Sequence, residues 1–357
     1  MASDSPFGKA TRLKALVGYL KGAGEITAEN AWTHVYRLLL SVDRRTQLAH
    51  VYDSNHMQKG GNWHKRAARF TDLLCERWGI TRKELPGLID VMFKHCVKKF
   101  EEQREEDADD PGATDADDVV SEFSTVVSDL LVARLGASHG ADLDGIVGSI
   151  EQAAERFYEI ERKRQNVRGE GFEDTLEWLL TRVSGIPDEQ IRVRCRAPEL
   201  PGFKPDLPEK GTKSGGRKSK VPKPDIALLS PDEQLTLWIV TAKWSLRQDR
   251  LDQFGQEAEF YKANKVQQTE IESVFITNEM DVARLKDVLD PPHGAGGFHF
   301  HRVYHLNLDL LEATHQESFK QLAVYKESHR LLGLDDLLRD APVRLPLMKR
   351  TSPRAAR

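Results

Sequence analysis

The sequence predicts a mixed α/β (α+β) core with a mixed central sheet, preceded by an all-helical N-terminal domain. Apolar residues recur at helical spacing through most of the first 165 residues, whereas strand-length apolar runs alternate with helical patterns after that point. Helices followed by a mixture of strands and helices are typical of such an arrangement. With 357 residues, 39% of them apolar, the chain is long enough for two domains or one large one.

The helical N-terminal domain is predicted to cover residues 1–100. Helical patterns fall at about 27–39, 67–78 and 88–100. In the first of these, the apolar side chains from Trp32 onward recur at spacings of three, three and one, which fits one face of a helix.

An acidic segment at 101–118 follows, with ten acidic residues among its eighteen and Pro111 and Gly112 in the middle. Such a block repels itself and rarely folds, so we expect a solvated linker or an exposed loop. A DNA-mimicking or metal-binding segment is the alternative. Helical periodicity resumes over 119–168 and leads into the core.

The core is predicted over residues 169–345, with a basic tail at 346–357. Gly169 and Gly171 are expected to lead into its first helix. Alternation and β-branched content predict the other elements. These are strands at 191–196, 225–229, 235–243, 273–277 and 298–306, and a helix at about 251–263.

Composition excludes several classes of protein. No stretch approaches 18 consecutive apolar residues, and the N-terminus lacks the apolar core of a signal peptide, so we expect a cytoplasmic protein without a membrane span. Three cysteines without CxxC spacing argue against a disulfide framework or a zinc knuckle. A net charge of -4 argues against nonspecific coating of nucleic acid, but not against reading of a specific site.

Asp225 and Lys243 form the candidate catalytic pair. Asp225 begins one predicted strand, and Lys243 ends the next, with Thr241 on the same face. A hairpin would bring the carboxylate and the lysine together. A carboxylate can hold a divalent ion, while a lysine orients water and stabilises the charge that develops on a phosphate. The pair therefore predicts a metal-dependent hydrolase. In the alternative interpretation, Asp225 caps a turn and Lys243 extends into solvent.

ProAsp at 224–225, followed by Lys243 after an apolar strand, resembles the PD-(D/E)xK nuclease core. That family carries an acid two positions before the lysine, where this chain has Thr241. Glu257, fourteen residues after the lysine, matches the displaced acid of the type II restriction endonucleases that recognise CCGG. The resemblance implies Asp225, Lys243 and Glu257 as catalytic residues, with Asp225 and Glu257 as ligands of Mg²⁺.

The same group carries a supporting glutamate on an earlier helix. GluGlyPheGluAsp at 170–174 resembles that element, with Glu173 at the matching position. Glu170 and Glu177 lie on the same stretch of helix and stay open as alternatives.

Arg247, Asp249 and Arg250 resemble the base-reading RxDR signature of this group. An arginine guanidinium group can donate two hydrogen bonds to N7 and O6 of guanine, and a carboxylate can accept a hydrogen bond from the N4 amino group of cytosine. A two-fold dimer would read CC on one strand and GG on the other, which gives the palindrome CCGG. The alternative is a surface cluster of salt bridges.

The resemblance implies a restriction-endonuclease-like core that cleaves double-stranded DNA at a palindromic site containing CCGG, with Mg²⁺, leaving 5′ overhangs. It further implies a homodimer or tetramer and a cognate DNA methyltransferase that protects the host DNA. Two other functions stay open: a repair nuclease with a similar core and different specificity, and a non-catalytic DNA-binding regulator.

A loop rich in lysine, arginine, glycine and proline spans 204–223. It is expected either to contact the DNA backbone or to be an ordinary solvated loop. Asp206 in this loop follows a second proline, but the residues after it cannot form a strand. The predicted backbone contacts are Lys213, Arg217, Lys218 and Lys220.

Overall fold

A computed structural model shows how these segments fold. It describes residues 5–43, 46–52, 57–107, 140–205, 221–246, 251–290 and 299–350. Within these ranges the chain is a mixed α/β structure built on a six-stranded sheet.

The strands form two sheets. A short hairpin pairs β1 with β2, and the six-stranded sheet has the order β3-β4-β5-β6-β7-β8. Its first two pairings are antiparallel and the other three are parallel, so the sheet is mixed. The bounds are β1 Ser41–Asp43, β2 Leu48–His50, β3 Ile191–Val193, β4 Ile226–Leu229, β5 Thr236–Lys243, β6 Glu272–Thr277, β7 Arg302–His305 and β8 Leu331–Gly333.

Helices connect the parallel strands and precede the sheet. Those on the N-terminal side are α1 Lys9–Lys21, α2 Ala31–Leu39, α3 Asn62–Trp78, α4 Leu85–Leu88, α5 Val91–Asp107 and α6 Gly140–Arg182. Those that follow β5 are α7 Leu251–Asn264, α8 Val282–Leu289, α9 Leu308–Thr314, α10 Gln316–Phe319, α11 Ala323–Glu327 and α12 Leu334–Arg350. Among the described helices, none is both long enough and apolar enough to cross a membrane.

The chain divides into two compact units. The smaller comprises Met1–Ala15 and Met92–Arg168. There, Phe93 packs against Phe7 with ring centroids 6.2 Å apart, and the guanidinium of Arg164 lies over the same ring.

The larger unit comprises Leu16–Val91 and Gly169–Arg357, and it holds the whole sheet. Its central strands β5 and β6 are almost entirely buried. In this unit Tyr36 of α2 donates a hydrogen bond to Asn278, just after β6, at 2.7 Å. Helices from the N-terminal part of the chain therefore belong to the packing of the core.

The prediction of an all-helical N-terminal domain is not confirmed, because the hairpin β1–β2 lies within the first hundred residues. Its turn is held by the Asp43 carboxylate, which accepts the Thr46 N–H at 3.0 Å, and by Gln47 in the left-handed region. Strands of three residues are too short to show the period of two on which the sequence prediction relied. The domain boundaries predicted from composition stay predictions.

Gly169 and Gly171 do not begin a new helix. They lie inside α6, which runs without interruption for 43 residues. Glycine in a helix costs about 1 kcal/mol relative to alanine. Val167 and Phe172, on either side of the two glycines, are buried.

The core strands predicted at 225–229, 235–243 and 273–277 are confirmed to within a residue or two. The strand predicted over 191–196 ends at Val193, because Arg194 has a φ of 55° and leaves the extended conformation.

A buried carboxylate fixes the chain just after β5. The backbone N–H groups of Leu246 and Asp281 donate to the two oxygens of Glu279 at 2.6 and 2.7 Å. Arg284 donates to the carbonyl oxygen of Leu246 at 2.8 Å, and His305 lies 3.0 Å from the carbonyl of Glu279. Burial raises the pKa of Glu279 from its ordinary value of 4.5 to about 7.

This raised pKa predicts a pH-dependent stability. A carboxyl group whose folded-state pKa is raised stabilises the fold when protonated, and this contribution is lost as pH rises from about 4.5 through 7. The free energy of unfolding of wild type minus that of Glu279→Gln should therefore fall by about 3 kcal/mol over this range. Urea unfolding at several pH values measures it, with the exposed Glu317→Gln as control. A difference that stays flat or grows with pH would contradict the account.

Candidate active site

The antiparallel pairing of β4 and β5 brings Asp225 and Lys243 together. Asp225 immediately precedes Ile226, which pairs with Val240. Its Oδ2 accepts the backbone N–H of Ala242 at 2.7 Å and the ammonium group of Lys243 at 2.6 Å. The carboxylate is therefore held by both the main chain and the side chain of the strand end that carries the lysine.

The Asp225–Lys243 pair lies at the ends of its two strands and is partly exposed to solvent. The Asp225 side chain is 15% exposed and that of Lys243 is 40% exposed. An ammonium group in this position holds the carboxylate and still reaches solvent, so it can contact a bound anion such as a phosphate.

Glu173 of α6 is close enough to Asp225 and Lys243 for their charges to influence its pKa. Burial raises its pKa, and the nearby negative charge of Asp225 raises it further, to about 7. Arg194 and Lys243 act against this shift but do not cancel it. Of the three acids considered on this helix, Glu173 is the buried one, whereas Glu170 is exposed and Glu177 is half-buried.

Glu257 lines a small cavity together with Thr241. The cavity measures about 10 Å³, which is close to the space that one water molecule needs. The amide of Gln253 donates to Oε1 of Glu257 at 2.6 Å. The other lining residues are Ile239, Phe254, Ala258, Tyr261, Ser273, His299 and Phe300. Glu257 of α7 and Thr241 of β5 thus lie on the wall of one cavity.

Tyr261 is a site residue that the sequence analysis missed. Its side chain lines the same cavity, and its buried hydroxyl has no hydrogen-bond partner among the described residues. Burial raises its pKa, and the negative charges of Glu257 and Asp225 raise it further. Its spacing of four residues from Glu257 on one helix is the signal that would have indicated it.

Several predicted residues lie outside the described ranges, so the structure says nothing of them. They are the base-reading Arg247, Asp249 and Arg250, the backbone-contacting Lys213, Arg217, Lys218 and Lys220, and Asp206. Their roles stay predictions.

Among the described residues, no group of three or more His, Cys, Asp or Glu side chains could hold a metal ion. Asp225 and Glu173 repel each other electrostatically, and a cation would neutralise part of this negative charge. Carboxylate oxygens are the ligands that Mg²⁺ prefers in proteins. The assignment of Asp225 and Glu257 as ligands of Mg²⁺ stays a prediction.

Comparisons with known proteins add little. Neither the protein-family models nor the curated proteins include a match. Among solved structures, the crystal structure of the pre-specific restriction endonuclease BsaWI in complex with DNA aligns with a TM-score of 0.28 and 12% sequence identity. That alignment covers 74% of this chain and 93% of the other. A likeness of this size is too weak to assign a fold or a function.

The charges of Asp225 and Lys243 act on the pKa of Glu173 in opposite directions, so replacing each of them should shift that pKa in opposite directions. Asp225→Asn removes a negative charge and should lower the pKa of Glu173 from about 7, whereas Lys243→Met removes a positive charge and should raise it. Carboxyl ¹³C NMR titration measures both, with the resonance assigned through Glu173→Gln. Lys262→Met is the control and should leave the pKa unchanged. Shifts of the same sign in the two variants would show that these groups are not neighbours.

Proposed function

We propose that this chain is a Mg²⁺-dependent nuclease that hydrolyses phosphodiester bonds of double-stranded DNA. The observation that carries the proposal is the contact between Asp225 and Lys243 at adjacent strand ends. Glu173 is near enough for its pKa to be influenced by both Asp225 and Lys243, and Glu257 lines a cavity with Thr241, two residues before the lysine. A lysine bonded to a carboxylate at a partly exposed sheet end, with further acids nearby, is an arrangement suited to phosphoryl chemistry.

Each residue has a distinct task in this proposal. Asp225 and Glu257 would hold Mg²⁺, which would supply Lewis-acid polarisation of the phosphate and of water. The Lys243 ammonium stabilises the negative charge that develops on the phosphate oxygens. Glu173, whose pKa of about 7 suits proton transfer near neutrality, supports the site as a proton acceptor.

We further propose that the chain is a type II restriction endonuclease acting on a palindrome that contains CCGG and leaving 5′ overhangs. The support is the combination of Thr241 at the usual acid position, Glu257 beside it, and the sequence of residues 247–250. Reading a two-fold site requires a two-fold assembly, so the active form would be a homodimer or a tetramer. A cognate DNA methyltransferase in the same cytoplasm would protect the host.

The catalytic assignment predicts that Asp225→Ala, Lys243→Ala and Glu257→Ala each reduce kcat by about 100-fold or more. DNA binding should persist, because these groups act on the scissile phosphate and not on base edges. Cleavage of a supercoiled plasmid in Mg²⁺ and a gel-shift assay with Ca²⁺ measure the two properties. Glu259→Ala is the matched control on α7, since this side chain is exposed, and it should cleave normally. Normal cleavage by Glu257→Ala would remove that residue from the site.

The base-reading assignment predicts a loss of discrimination in Arg250→Ala. Each arginine fork on guanine contributes about 1–3 kcal/mol of discrimination, and a symmetric dimer uses each contact twice, which gives roughly 2–6 kcal/mol. Competition between a CCGG duplex and one with a changed inner base pair measures it. Lys218→Ala should instead weaken binding to both duplexes equally and reduce the dependence on salt. A wild-type preference for CCGG in Arg250→Ala would show that this segment does not read the site.

A further inference from the structure

Arg194 directly follows β3, and its backbone lies in a region that few residues other than glycine adopt. Its φ is 55°. A side chain held there is strained, and such strain persists only where surrounding contacts over-determine the conformation.

The guanidinium group of Arg194 binds α6 at three points. Its Nε donates to the carboxylate of Glu173. Its Nη2 donates to the carboxylate of Asp174 at 2.9 Å and to the carbonyl oxygen of Glu170 at 2.7 Å. The Asp174 side chain is fully buried, so this fork engages a part of the helix that solvent does not reach.

The main chain of Arg194 binds the other side of the site. Its backbone N–H donates to the carbonyl oxygen of Asp225 at 3.0 Å. Arg194 is thus bonded through its side chain to the carboxylate of Glu173 and through its backbone to the main chain of Asp225. The negative charges of the Glu173 and Asp225 side chains interact.

We propose that Arg194 is a positioning residue that fixes the spacing between Glu173 and Asp225. The proposal rests on the proposed nuclease function, since it assigns Arg194 a part in the same reaction. The left-handed backbone directs the N–H toward Asp225 while the side chain turns back to α6. A planar fork with several fixed donors can bridge two adjacent carboxylates and a carbonyl, whereas a lysine ammonium is a single point of contact.

Arg192 provides a matched comparison two residues earlier. It also pairs with a carboxylate, Glu233, at 3.0 Å, but it lies within β3 and neither its hydrogen bonds nor its ion pair involve α6 or Asp225. A general effect of replacing an ion-paired arginine by lysine in this part of the chain should therefore be reproduced by Arg192→Lys, and loss of the positioning function should not.

The experiment compares Arg194→Lys, Arg194→Gly and Arg192→Lys in plasmid cleavage. Arg194→Lys keeps the charge and should lower kcat by about 10- to 100-fold, with KM for DNA within twofold of wild type. Arg194→Gly relieves the backbone strain but lacks the fork, and guanidinium ion at millimolar concentration should partly restore its kcat, whereas methylammonium should not. The side chain is 28% exposed, so a small cation can reach this position. Arg192→Lys should cleave normally.

Two results would overturn the proposal. One is wild-type kcat in Arg194→Lys, and the other is an equal loss in Arg192→Lys. An inactive wild-type enzyme would contradict the proposed function itself, before any variant is compared. The positioning role can then still be tested by a crystal structure of Arg194→Lys. A changed spacing between the Glu173 and Asp225 carboxylates would support it, and an unchanged spacing would overturn it.

Discussion

The Asp225 carboxylate accepts one hydrogen bond from the backbone of β5 and one from the ammonium group at the end of the same strand. The pairing of Ile226 with Val240 brings both donors within reach of the Asp225 carboxylate. The alternation of side chains along the strand then places Lys243 on the same face of the sheet as Asp225. A shift of this register by one residue would turn Lys243 to the opposite face and destroy the contact. Because both strands are buried, that register is strongly specified.

Placing several carboxylates beside one another carries an electrostatic cost. Burial and the charge of Asp225 raise the pKa of Glu173 to about 7, and Arg194 and Lys243 offset part of the repulsion. The proposed cation would offset more of it. With Thr241 on the strand, the residue two positions before Lys243 adds no further negative charge, and Glu257 of α7 lines a cavity with this threonine.

Much of the sheet and the central pair could be predicted from the sequence, since β4 and β5 are apolar runs of strand length and Asp225 and Lys243 stand at their ends. The choice among Glu170, Glu173 and Glu177 could not, because it depends on which side of α6 faces the sheet. Arg194 was missed for a similar reason: its partners lie on a helix 20 or more residues away, and nothing local signals its left-handed backbone. The hairpin β1–β2 could not be predicted, because its strands span three residues each and are too short to show an alternating pattern.

In the proposed function, the site around Asp225 and Lys243 hydrolyses DNA with the help of a divalent metal. Digestion of a plasmid of known sequence by the full-length protein, with Mg²⁺ or with EDTA, followed by sequencing of the fragment ends, tests this. Discrete fragments are expected in Mg²⁺ alone, with every end at a CCGG-containing palindrome and a 5′ overhang. Metal-dependent cleavage at other sequences would contradict the proposed specificity, and intact plasmid under both conditions would contradict the nuclease function.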